Sequence, residues 1–88
     1  MKEMEQLINE CNAFKQGQLS IEEFQKRIEV IYLPNECRNT LEKEQHNAVN
    51  KLEEITYCYT KSQKKYAIEV ADDLIRAVLF EQERLKEM

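Results

Sequence analysis

The chain has 88 residues with 17 acids against 13 bases, a formal net charge of −4, and charged side chains at 34% of positions. A single domain of this size buries roughly 60 to 65% of the surface its unfolded chain exposes, which leaves little volume for an internal active site. The acidic balance argues against a nucleic-acid binder, which normally shows a basic stripe, and suits a soluble protein or one whose partner is basic.

One Gly and one Pro among many Glu, Lys, Gln and Leu predict an all-α chain. The first helix is expected over residues 2–16, with Met4, Leu7, Ile8, Cys11 and Phe14 at three- and four-residue steps on one face. Gly17 stops it, because glycine reaches the left-handed conformation without a Cβ clash, and Leu19 stands where an apolar contact often closes a helix end. Ser20 and Glu23 have the spacing of a capping box, in which each side chain satisfies an orphan N–H of the next helix. In that second helix Ile21, Phe24, Ile28 and Ile31 form the buried stripe, with Gln25 and Tyr32 at its edge. Pro34 disfavours the α conformation in the residue before it, so the helix is expected to end near Leu33.

The third helix is expected over residues 37–59. Asn35 offers an early cap; Asn39 with Glu42 spells a second capping box. Leu41, Ala48, Leu52, Ile55 and Tyr59 make a narrow stripe flanked by Val49 and Thr56, and Gln45 falls on it as a buried polar group. β-branched and aromatic residues over 55–60 weaken the helix, and Ser62 can cap a fourth one running to Lys86. Its face is Ala67, Val70, Ala71, Leu74, Ile75, Val78 and Leu85. One long helix over 39–86 is the rival, but four antiparallel helices bury the stripes more compactly. The expected architecture is a single domain over 1–88, an antiparallel up-down bundle of four helices.

Little in the chain points to chemistry. Cys11, Cys37 and Cys58 are an odd, widely spaced set, which argues against a disulfide framework and for a reducing, cytoplasmic compartment. The N-terminus has no apolar core of signal-peptide length, and no run approaches the ~18 apolar residues of a membrane span. His46 has no ligand or nucleophile pattern around it and reads as solvated. Gly17 and Glu23 have the spacing of the central Gly and terminal Glu of a calcium loop. The first, third and fifth positions would then be Asn12, Phe14 and Gln16, and Phe14 offers calcium no oxygen. Phosphate loops, nucleophile elbows and paired metal ligands are absent, so neither an enzyme nor a cofactor or metal is expected.

The surface is more informative. Phe80 is placed nearly opposite the fourth helix's apolar stripe, among Asp73, Arg76, Glu83 and Arg84, the composition of an interface hot spot with a polar rim. Tyr57 lies off the third helix's stripe beside Glu53 and Glu54. Residues 36–54 hold five acids and three bases, whereas residues 61–88 hold six of each. Glu42, Glu53, Glu54, Tyr57, Asp73 and Phe80 are therefore the candidate partner-binding residues, able to cover a basic cleft on another protein.

A first helix ending at Phe14, then Gly17, then Leu19-Ser20-x-x-Glu23-Phe24, resembles the opening of the colicin-D-type immunity proteins. The similar segment ends by Tyr32. The resemblance implies a small helical bundle of bacteria, a cytoplasmic antitoxin whose acidic surface blocks a cognate ribonuclease toxin. No binding residue of that family maps onto a numbered position here. The alternative is a non-catalytic helical adapter or regulatory module that self-associates, as a homodimer, through Phe80 or the long fourth helix. Neither reading involves a membrane or nucleic acid as partner.

Overall fold

The chain is described by a computed structural model over residues 2–87. Its helices are α1 (Lys2–Lys15), α2 (Ile21–Glu29), α3 (Leu41–Cys58) and α4 (Gln63–Lys86), with a 3₁₀ turn at Asn35–Cys37 between α2 and α3. α1 packs on α2 and α4, and α3 packs on the same two, closing an antiparallel up-down bundle of 44 × 23 × 19 Å.

The α1–α2 hairpin is built as the residue pattern dictates. Gly17 sits at φ +82°, the Gln18 N–H donates to the Ala13 carbonyl at 2.9 Å, and the Gly17 N–H donates to the Phe14 carbonyl at 3.0 Å. These are the two bonds of a Schellman stop. The capping box forms in both directions: the Glu23 N–H donates to Ser20 Oγ at 3.1 Å and the Ser20 N–H donates to Glu23 Oε1 at 3.0 Å. Phe14 and Phe24 then stack across the hairpin, centroids 4.7 Å apart and planes within 4°. Both rings are buried, and burial of each contributes about 1.5 to 3 kcal/mol.

The stripes of all four helices meet in one core, joined by Cys37 from the connecting turn. Two boundaries and one cap differ from expectation. α2 stops at Glu29 instead of Leu33, so Ile31 enters the core from a non-helical segment and Tyr32 is exposed. α3 starts at Leu41 instead of Cys37, and neither Asn35 nor the Asn39–Glu42 pair caps it. Thr40 occupies the cap position, but its hydroxyl is turned away to Glu81 of α4. Ser62 holds the cap position of α4 in the left-handed region, at φ 59° and ψ 28°, and its side chain caps nothing. The break before α4 is held instead by Gln63, whose amide donates to the carbonyls of Tyr59 at 2.8 Å, Ile55 at 3.2 Å and Thr56 at 3.3 Å.

Gln45 explains the early end of α2. It is buried on the α3 stripe, as expected, and its Nε2 donates to the carbonyls of Ile28 at 2.6 Å and Ile31 at 2.7 Å. One amide from α3 thus satisfies two carbonyls where α2 gives way to non-helical chain. An acceptor there repels both. Gln45→Glu is expected to lower stability by about 3 kcal/mol or more near neutral pH. The introduced carboxyl has its pKa raised in the folded state, so part of the loss is regained as pH falls toward 5, where the protonated form can donate once. Denaturant melts of both proteins at pH 7 and pH 5 read this directly.

Candidate protein-binding surface

At 100° per residue, the α3 positions that reach the core leave Glu53 and Tyr57 on the flank toward α2, and Glu44 and Lys51 on the flank toward α4. A groove runs along each flank. The α2–α3 groove, with a cavity of 240 Å³, is lined by Glu22, Gln25, Lys26, Glu29, Glu53, Thr56 and Tyr57. The α3–α4 groove is a pair of hollows that share Glu44. One, of 310 Å³, is lined by Glu44, Asn47, Ala48, Lys51, Val70, Asp73 and Leu74. The other, of 250 Å³, is lined by Thr40, Leu41, Glu44, Ala77, Phe80 and Glu81.

The six sequence-predicted residues therefore do not form one face. Glu53 and Tyr57 come together on the α2 flank, where Tyr57 is 76% exposed. Glu42 lies about three turns before Glu53 on the same flank and is half-buried. Asp73 and Phe80 line the α3–α4 groove instead. Glu54 stands outside both linings, paired with Lys51 at 3.7 Å. Phe80 is 76% exposed, off the apolar stripe, and lines the hollow at the start of α3. Of its expected charged neighbours, Arg76 pairs with Asp73, and Arg84 turns away to the connecting loop.

Sequence reasoning missed Glu81, a buried carboxylate held by Arg84 and Thr40. It is 2% exposed. Arg84 Nε donates to its Oε1 at 2.5 Å, Thr40 donates to its Oε2, and Arg84 Nη2 donates to the Glu36 carbonyl at 3.0 Å. The Arg84 guanidinium, aided by the Thr40 hydroxyl and the Cys37 thiol, outweighs burial and holds the Glu81 carboxyl down at about 2. Burial, with the Glu81 carboxylate beside it, pushes the Cys37 thiol up to about 11; burial pushes Cys11 up to about 12. The signal for Glu81 was its register, since it continues the Leu74–Val78 stripe toward Leu85.

The remaining candidates are placed as follows. His46 is exposed. Gly17 and Glu23 are used by the helix stop and the capping box. Among the described residues no group of three His, Cys, Asp or Glu could hold a metal ion, and no helix is long and apolar enough to cross a membrane. The three cysteines are free; Cys11 and Cys37 are buried and Cys58 is exposed.

Two outcomes follow from this placement. A thiol reagent is expected to modify Cys58 rapidly in the native protein, with Cys11 and Cys37 reacting only on unfolding, which mass spectrometry of labelled peptides reads. Glu81 has a folded pKa below its unfolded value, so its contribution to stability is present above about pH 4.5 and is lost as pH falls toward about 2. Glu81→Gln is expected to cost about 1 to 3 kcal/mol at pH 7 and to flatten the stability profile across that acid window, measured by urea melts.

No protein-family model, curated protein sequence or solved structure matches this chain.

Proposed function

We propose that the chain is a non-catalytic, protein-binding inhibitor of the immunity type, acting in the cytoplasm of a bacterium. Its partner is a basic protein toxin, of nuclease chemistry, whose cleft is covered by the acidic α2–α3 groove. The observation that carries this reading is Tyr57, exposed beside Glu22, Glu29 and Glu53. Among the described residues these three carboxylates have no ion pair or hydrogen bond, and Lys26 is the single base in the lining. Unpaired carboxylates around an exposed aromatic suit electrostatic capture of a cationic partner followed by desolvation of one ring.

A second reading, self-association, is favoured by Phe80 and Leu79, which are adjacent and exposed. It predicts a mass that rises with concentration.

The first test is co-expression with the product of the adjacent upstream gene. The inhibitor reading expects a stable complex and rescue of growth; no complex and no rescue leaves self-association standing. Within such a complex, the combined Glu22→Lys and Glu53→Lys change is expected to slow association at low salt by about tenfold or more. Glu54→Lys, already paired and outside the groove, is expected to have a smaller effect. Stopped-flow association rates decide it, and an unchanged rate for the double variant removes this groove from the interface.

A further inference from the structure

The α3–α4 groove differs in kind from the acidic one. Its hollow at the start of α3 has walls from Leu41 and Ala77, a half-open lid in Phe80, and carboxylates at two depths. Glu81 lies at the floor. One of its oxygens takes Arg84 and the other takes Thr40. Glu44 stands at the rim, exposed and without an ion pair or hydrogen bond among the described residues. The other charges facing this groove are spoken for: Lys51 is held by Tyr59 and Glu54, and Arg76 by Asp73. With Arg84 offsetting the floor carboxylate, a net negative charge remains at the rim, on Glu44, beside the exposed ring of Phe80.

We infer that this hollow is a receptor for an arginine side chain of a partner polypeptide. The aliphatic stem lies along Ala77, above the buried Leu41, the planar guanidinium stacks on Phe80, and its charge meets Glu44. The chemistry selects this occupant. An apolar stem alone would leave Glu44 unused, and a compact hydrated cation would leave Phe80 and the apolar walls unused. A guanidinium carries weakly hydrated faces for stacking and edge donors for a carboxylate. The inference places a contact on the opposite flank of α3 from the groove assigned to the toxin. It extends the protein-binding reading without needing that groove.

The test uses the whole chain and small probes, so it is independent of any toxin. Isotope-labelled protein is titrated with N-acetyl-arginine amide, and with N-acetyl-citrulline amide as a neutral isostere. Saturable shifts are expected at Leu41, Glu44, Ala77 and Phe80, with a Kd on the order of millimolar, and none with the citrulline probe. Glu44→Gln and Phe80→Ala, both at exposed positions, are each expected to weaken binding by about fivefold or more with unchanged melting temperature. Equal shifts from citrulline, or no saturable shift at roughly 50 mM probe, overturn the inference. Shifts confined to the Glu22–Glu53 groove overturn it while leaving the inhibitor reading intact. A dimer abolished by Phe80→Ala, with no arginine response, assigns the hollow to a second copy and likewise overturns it.

Discussion

Gln45 and Glu81 are the buried polar side chains among the described residues, and both serve the irregular connection between α2 and α3. Two helical hairpins joined by non-helical chain leave backbone groups without regular partners, and buried groups of that kind must be satisfied from elsewhere. Gln45 reaches from α3 to the carbonyls of Ile28 and Ile31. Glu81 receives Thr40 at the start of α3, and Arg84 reaches on to the Glu36 carbonyl. The connection is therefore clamped at both ends. The clamp fixes where α3 begins, and hence which of its residues face each groove.

The same clamp shows how far the residue pattern could be read. Apolar spacing located the four helices and the core, because amphipathic stripes answer to the period of the helix and little else. The hairpin at Gly17 was legible down to its hydrogen bonds, since its stop and cap are local. The start of α3 was not. Asn39 and Glu42 spell a capping box, yet the cap position falls to Thr40, whose partner lies 41 residues away. Pro34 marked only a downstream limit for α2; the earlier stop at Glu29 depends on Gln45, which the stripe exposed as buried without saying what it bonds. A lone acid in an apolar register, Glu81, reads as noise until Arg84 and Thr40 are seen around it.

The candidate site was legible in its components and not in their grouping. Tyr57 and Phe80 are off-stripe aromatics, and both are exposed. Which carboxylates accompany them is a question of flank, and flank depends on the neighbouring helix. α2 supplies Glu22 and Glu29 beside Tyr57, two residues no argument confined to α3 could supply. The charge count over residues 36–54 pointed to an acidic region, but Glu54 is neutralised by Lys51 and Glu42 is half-buried. Net charge in a segment is thus a poor guide to free charge on a face.

The two grooves share one ridge, the outer side of α3. A partner seated on that ridge can reach Tyr57 on one flank and Phe80 on the other without the bundle changing shape. Preformed grooves would lower the ordering cost of binding, and the two aromatics would give separated anchors that a mispositioned partner could not fill together. On the proposed reading, carboxylates on the α2 flank would act at long range and set the encounter, whereas the half-open hollow beside Phe80 would act at contact and set the lifetime of a complex. Charge changes at Glu22 and Glu53 should therefore appear in association rates, and truncation of Phe80 in dissociation rates. That division is the kinetic form that two unlike grooves on one helix would impose on the proposed complex.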